Sequence, residues 1–149
     1  MNRSALLAII LVLAFLGLAD SWYLAQSALT GTDLTCSIEG LDQCNVVAQS
    51  EYSWLFGIPL ALYGAAFYVF FFVLAAVMLA VRNPILTRVL YWGSVIGLLA
   101  SLYFLYLQVF LIKALCIYCL ASLAISVLLF ALVWRLRSKE SAISHPAIP

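Results

Sequence analysis

Charge is scarce in this chain. Only 9% of its 149 residues are Asp, Glu, Lys or Arg, against 67% hydrophobic, whereas a soluble domain carries roughly 25% charged and about 45–50% apolar residues. Together with a mean hydropathy of +1.16, that balance excludes an ordinary water-soluble globular domain. Internal repeats and low-complexity tracts are also missing. Too little chain remains outside lipid for a second, water-soluble core, so one domain with short connections is expected over residues 1–149. Seven basic and six acidic residues leave a net charge of +1, which provides no basic excess to neutralise phosphates and no reason to expect a nucleic-acid partner.

Long apolar runs are what the chain has instead. Ala5–Leu24, Gly57–Val81, Val89–Ile112 and Leu115–Trp134 each reach the roughly 20 residues that a helix needs to cross a bilayer. The expected fold is therefore an all-α integral membrane protein, a bundle of four transmembrane helices. The first run has a second reading as a signal peptide, because Arg3 precedes it and the small-residue patch Ala25–Ala28 follows; its length argues against that reading. Asp20 stands near the outer end of this run. A carboxylate inside a span is a functional candidate, while Ser21 and Trp22 beside it fit a plain interfacial position close to water.

The few ionic residues fall between the runs and so report topology. Arg3 precedes the first span, Arg82 and Arg88 separate the second from the third, and Arg135, Arg137 and Lys139 follow the fourth; only Lys113 falls elsewhere. By the positive-inside rule both termini and the Arg82–Arg88 turn are cytoplasmic. Segment Gln26–Phe56 holds Asp33, Glu39, Asp42 and Glu51 with no Lys or Arg, which makes it the outer loop. Gly57-Ile58-Pro59 is expected to start the second helix, with the proline in its first turn. Asn83-Pro84 breaks the backbone between spans two and three, and the polar tail Ser138–Pro149 is expected to be disordered.

This topology gathers all four cysteines at one face. Cys36 and Cys44 lie in the outer loop, and Cys116-Ile117-Tyr118-Cys119 opens the fourth helix at the same side. An outer compartment is oxidising, so paired cysteines there are expected to form disulfides. At a helix N-terminus the unpaired N–H groups and the dipole stabilise a thiolate and lower a Cys pKa. Residues three apart share a helical face, so Cys116 and Cys119 can bridge each other, with Cys119 one turn deeper in the bilayer. That arrangement suits an electron relay between a water-soluble dithiol and a quinone dissolved in lipid. Cys36 and Cys44 would take electrons from a partner thiolate through a mixed disulfide. A second exchange would reduce Cys116–Cys119, and Cys119 would pass two electrons to the ring.

Other uses of these residues are less well matched to their spacing. Four thiolates can form a zinc site, but a C-x7-C pair with a membrane-embedded C-x2-C lacks the usual ligand spacing, and no metal is expected. Two inert disulfides would make a non-catalytic tetraspan protein, although a bridge over three residues constrains an unfolded chain little. Trp54, Phe56, Tyr63, Tyr103, Tyr106 and Tyr118 are candidates to wall a quinone pocket, each with the alternative role of packing or an interfacial belt.

Taken together, these residues resemble the vitamin K epoxide reductase family, in its bacterial branch. The resemblance runs from Gly17 to about Ser122. It rests on Cys36 and Cys44, the following Asn45-Val46-Val47-Ala48-Gln49-Ser50-Glu51-Tyr52-Ser53, then Phe56-Gly57-Ile58-Pro59-Leu60, Ser101-Leu102-Tyr103 and Cys116-Ile117-Tyr118-Cys119. The DsbB type of quinone-linked thiol oxidase differs, because it keeps its second cysteine pair in a long second outer loop, and the second outer turn here is too short for that. The resemblance implies a bundle around a quinone, covered by the outer loop and served by a thioredoxin-like partner. It casts Cys119 as the cysteine that contacts the quinone, Cys116 as its mate, and Cys36 and Cys44 as the shuttle pair. Ser50 matches a serine or threonine kept after the loop cysteines, acting through a loop-positioning hydrogen bond or a helix cap.

Departures from the family pattern narrow what it implies. The animal enzymes have a substrate-contacting tyrosine one turn beyond the CxxC, where this chain has Leu123, and an asparagine before helix two, where it has Ser53. Their loop after the second shuttle cysteine is longer, and these differences argue against epoxide as the native substrate. Cys119, Ser50, Ser53, Phe56, Tyr103 and Leu123 are the expected quinone-pocket positions. Several bacterial relatives carry a fused thioredoxin domain; little chain follows Trp134, so the expected partner is a separate thioredoxin-like (DsbA-like) periplasmic protein. The expected function is a quinone-dependent thiol–disulfide oxidoreductase of the inner (cytoplasmic) membrane. It would use ubiquinone, menaquinone or a vitamin K-type naphthoquinone and support disulfide-bond formation. The competing readings are a reductase of vitamin K or its epoxide, and the non-catalytic tetraspan protein.

Overall fold

A computed structural model describes residues 2–36 and 43–144, with side chains described as far as Glu140. Glu39 and Asp42 of the acidic outer segment lie outside the described residues. The long helices are α1 (Arg3–Thr30), α3 (Leu60–Ala80), α4 (Pro84–Tyr106) and α5 (Ile117–Ser144). Between α1 and α3 stand the short helix α2 (Cys44–Ala48) and the strands β1 (Trp54–Leu55) and β2 (Ile58–Pro59). Arg3–Thr30, Leu60–Ala80, Pro84–Ile112 and Ile117–Glu140 are long and apolar enough to cross a membrane. The chain is a helical multi-pass membrane protein, as its composition implies.

Helix α1 packs along α3 and α5, and α4 packs along α5, while α3 and α4 touch only sparsely. On α1 the buried residues Leu6, Leu7, Ile10, Ala14, Gly17 and Ser21 recur at three- and four-residue steps, which places them on one helical face. Leu6, Leu7, Ile10 and Ala14 join a core with Phe71, Ala75 and Met78 of α3, Leu90 of α4, and Leu129, Val133 and Leu136 of α5. Large apolar side chains such as Val12, Phe15, Val73 and Leu99 point outward, a surface that lipid solvates and water would not. Small residues allow close approach: a methyl at Gly17 would overlap the Tyr68 ring, and one at Gly97 would overlap the Phe67 ring. Such packing substitutes for the hydrophobic drive that helices lack against one another in lipid.

Arg3 fastens the end of the bundle away from the cysteines. Its Nε lies 3.1 Å from Glu140 Oε1 and its Nη1 donates to the Met78 carbonyl at 2.7 Å. The start of α1, the end of α3 and the far part of α5 are thereby joined.

Several expected boundaries are corrected. Helix α1 is continuous through Ala25–Ala28 to Thr30, beyond the expected end at Leu24, and stops at Gly31, whose left-handed φ of 67° provides the cap. Gly57-Ile58-Pro59 does not open a helix. Phe56 and Gly57, with φ of 52° and 77°, form the two-residue turn of a hairpin in which Trp54 pairs with Pro59 and Leu55 with Ile58, the conformation favoured by type I′ geometry. Pro59 is then the residue before α3. Helix α4 begins at Pro84, ahead of the expected Val89, because the Asn83 side chain accepts the Ile85 N–H at 2.9 Å and caps it. The tail expected to be disordered continues α5 to Ser144, helped by the Arg3–Glu140 pair and by Arg137, whose guanidinium lies 4.2 Å from the centre of the Tyr91 ring.

Because Tyr68 is 2% exposed and its ring covers Gly17, Gly17→Ala is expected to cost about 1–3 kcal/mol through overpacking. Unfolding in detergent should show a lowered midpoint, and an unchanged midpoint would contradict the contact.

Candidate functional site

The fourth-helix thiols are positioned by an irregularity at the end of α4. Residues Leu107–Ile112 widen into a π-helical turn, a device often found at functional sites, and Lys113 then reverses the chain with φ of 55°. The wide turn carries Gln108 inward, where it is 3% exposed. Its carbonyl accepts the Ala114 N–H at 3.1 Å and its side-chain Oε1 accepts the Cys116 N–H at 3.1 Å. Cys116 stands immediately before α5, its carbonyl taking the Leu120 N–H at 3.1 Å. The CxxC therefore begins the helix as its spacing implies. Both fourth-helix cysteines are free thiols, Cys116 buried and Cys119 half-buried.

The thiol of Cys119 donating to the Cys116 sulfur, with help from the N–H groups of Cys119 and Tyr118, outweighs the opposing effect of burial and brings the Cys116 thiol down to about 7. At neutral pH much of Cys116 is the nucleophilic thiolate.

The loop pair is closed, with Cys36 and Cys44 joined in a disulfide. Cys44 is fully buried and packs with Leu34 and Cys116, with Cys36 and Cys119 alongside. Cys36 is the more exposed sulfur of the two. Asn45 clamps the loop across the bridge: its Oδ1 accepts the Leu34 N–H at 2.7 Å, and its Nδ2 donates to the Leu34 carbonyl at 3.4 Å. Tyr118, inside the CxxC, donates to the Thr35 carbonyl at 2.9 Å and its ring lies 5.2 Å from that of Tyr23. The shuttle loop is thus tied to the helix that carries the second pair.

A cavity of about 360 Å³ lies beneath this cluster. Cys44, Ser50, Ser53 and Pro59 line it at the loop layer, and Phe67, Ile96, Gly97, Ser122 and Ser126 line it among the helices, with Cys116 and Cys119 between. Its size falls in the roughly 300–1,000 Å³ range of small-molecule sites, and its mainly apolar wall with a few polar groups matches their character.

Of the expected site residues, Cys44, Cys116, Cys119, Ser50 and Ser53 are brought to the cavity, together with Tyr63. Phe56 at the hairpin tip is 91% exposed and Tyr103 is 58% exposed. Neither they nor Leu123, Trp54, Tyr106 and Tyr118 are among the lining residues. Ser50 donates back to the Val47 carbonyl at 2.7 Å and Ser53 to the Ala48 carbonyl at 2.6 Å. These bonds position the loop; neither side chain caps a helix start. Asp20 is half-buried, and its Oδ2 is buried without a hydrogen-bond partner among the described residues. Among the described residues, no group of three His, Cys, Asp or Glu side chains is arranged to hold a metal ion.

Sequence reasoning assigned no site role to Gln108, Tyr68, Ser122 or Ser126, all of which line the cavity. A signal was present for three of them. Gln108 interrupts an apolar run, and Ser122 and Ser126 follow Cys119 by three and seven residues, on the same helical face.

A disulfide packed on free thiols above an apolar cavity in a membrane bundle defines a membrane redox protein. The chain belongs to the vitamin K epoxide reductase family, which it matches over residues 8–134, and it is accordingly an oxidoreductase. No curated protein matches it.

The Cys116 thiolate should titrate with a midpoint near pH 7, measured by ultraviolet thiolate absorbance with the loop disulfide intact. In Cys119→Ala, which removes the donor, the midpoint should rise toward the ordinary value of about 8.5. An identical titration in both proteins would show that Cys119 does not hold the charge.

Proposed function

We propose that this chain is a quinone-dependent thiol–disulfide oxidoreductase that keeps an extracytoplasmic thioredoxin-like protein oxidised and so supports disulfide-bond formation. The observation that carries the reading is the packing of the closed Cys36–Cys44 pair on the open Cys116–Cys119 pair, with three of these four residues lining one apolar cavity. That is the state in which electrons have left the loop and reached the inner thiols.

The steps follow from exposure and acidity. A partner thiolate attacks Cys36, the accessible sulfur, and the bond to Cys44 breaks; the partner's second thiol then closes its own disulfide and releases Cys36. Cys44 attacks Cys116 in the closed Cys116–Cys119 pair and Cys119 leaves as the thiolate. Cys36 then attacks Cys44, restoring the loop disulfide and releasing Cys116, a good leaving group because its thiol is acidic. In closing their own disulfide, Cys116 and Cys119 give up two electrons and two protons. A bound ubiquinone, menaquinone or naphthoquinone supplies the acceptor for both, and Cys119, within the cavity wall, is the thiol that faces it.

The charge pattern supports an orientation with both termini cytoplasmic and the cysteines on the periplasmic side of an inner membrane. Arg3 and Glu140 meet at one end of the bundle, and Arg82 and Arg88 flank the turn that joins α3 to α4. The cysteine end carries Lys113 as its single basic residue among those described.

In reconstituted protein given a dithiol donor, short-chain quinone should be reduced, and alkylation trapping should show all four cysteines cycling with quinone supply. Cys119→Ala should lower quinone reduction by orders of magnitude while leaving the loop disulfide reducible by the donor. Cysteines that stay fixed in one state with and without quinone would sink this proposal and favour a structural tetraspan protein.

A further inference from the structure

A chain of hydroxyls runs along the inner wall of the cavity. The Tyr68 hydroxyl lies 2.7 Å from Ser122 Oγ and 3.2 Å from the Ser122 carbonyl. Ser126 Oγ donates to that same carbonyl at 3.0 Å and lies 3.0 Å from Ser101 Oγ. All four residues line the cavity, and Ser122 follows Cys119 by three residues. It therefore shares the Cys119 face of α5, about 4.5 Å deeper at the helical rise.

Packing alone does not account for this chain. A hydroxyl in an apolar interior costs free energy unless it is bonded, and phenylalanine at position 68 would fill the same space without that cost. Instead the tyrosine is 2% exposed, and α1 gives it room by having no side chain at Gly17. Two proton arrangements are open to the chain: with Tyr68 donating to the Ser122 carbonyl, Ser122 donates to Tyr68 and no proton is left over. When Tyr68 donates instead to Ser122 Oγ, the Ser122 proton is free for an acceptor in the cavity. Elsewhere at this depth the wall is apolar, with Phe67, Ile96, Gly97 and Ala100.

We propose that the Tyr68–Ser122 pair donates the hydrogen bond that holds a carbonyl oxygen of the bound quinone ring, fixing which part of the ring meets Cys119. This rests on the reading of the cavity as a quinone site. Tyr68 acts through Ser122 by orienting its proton, and Ser122 touches the ring oxygen. In the single variant Ser122→Ala the Tyr68 hydroxyl is released to take its place, so the full loss requires both changes.

The test uses the full chain in lipid nanodiscs with a short-chain ubiquinone. The infrared carbonyl band of the bound quinone should be shifted to lower wavenumber relative to quinone in lipid alone. In Tyr68→Phe/Ser122→Ala the band should return toward the free position and the dissociation constant should rise between about two- and ten-fold, the range for one neutral hydrogen bond. Exchange from a dithiol through Cys36–Cys44 to Cys116–Cys119, followed without quinone by thiol trapping, should be unchanged, which also shows that the variant is folded. Unshifted carbonyl bands in the wild-type complex, or a double variant that binds quinone as the wild type does, would overturn the assignment and leave the quinone site standing. If the wild-type protein binds no quinone, the proposed function and this assignment fall together.

Discussion

The packing of Cys44 against Cys116 is the contact on which the redox layout depends. Exchange between two disulfide couples needs one sulfur to reach the other along the bond it will break, and neither of these sulfurs is exposed to solvent. Each is brought to the contact by a separate piece of backbone chemistry. On one side Asn45 bonds both backbone groups of Leu34, which holds the loop over the bundle. On the other the π-turn of α4 delivers Gln108 to the Cys116 N–H, satisfying a buried donor whose loss would cost about 1–3 kcal/mol.

The bilayer sets the second constraint. Backbone groups inside lipid must be bonded within the chain, so the irregular turns are confined to the two ends of the bundle, with the hairpin, α2 and the Lys113 turn at the cysteine end and the turn between α3 and α4 at the other. Polar side chains among the helices are correspondingly few; Ser101, Ser126, Ser122 and Tyr68 bond one another, whereas Asp20 Oδ2 and Thr87 Oγ1 are buried without a partner among the described residues. Sparse contact between α3 and α4 leaves the space that the cavity occupies, with Phe67 set against Gly97 on its wall.

Much of this was legible from residue order. Four apolar runs of bilayer length fixed the number of long helices, and a CxxC at the start of the last run placed its thiols together on one face. The pairing of Cys36 with Cys44 was open to reading because both fall in the outer loop and the family resemblance casts them as the shuttle pair. Boundaries were less legible where local chemistry overrides hydropathy. The hairpin at Phe56-Gly57 depends on two positive-φ residues, and a Pro59 that looks like a first-turn residue instead completes a strand. The aromatic residues misled because hydropathy does not say which face of a helix looks inward. Tyr103 and Tyr106 are exposed, whereas Tyr68, three residues from the buried Phe71 and Ala65, faces the interior. The Gln108 contact was hidden because it depends on a π-turn, which shifts the helical register by one residue.

The Asn45 clamp has a kinetic meaning. When the Cys36–Cys44 bond opens, the two amide–backbone bonds between Leu34 and Asn45 still join the chain on either side of it. The released sulfurs stay within a small shared volume, so their effective concentration toward each other remains high. In the proposed relay, reclosure would then be a local rotation of side chains instead of a search by a loose loop, and the couple would act as a ratchet that resets after every turnover without letting go of its post.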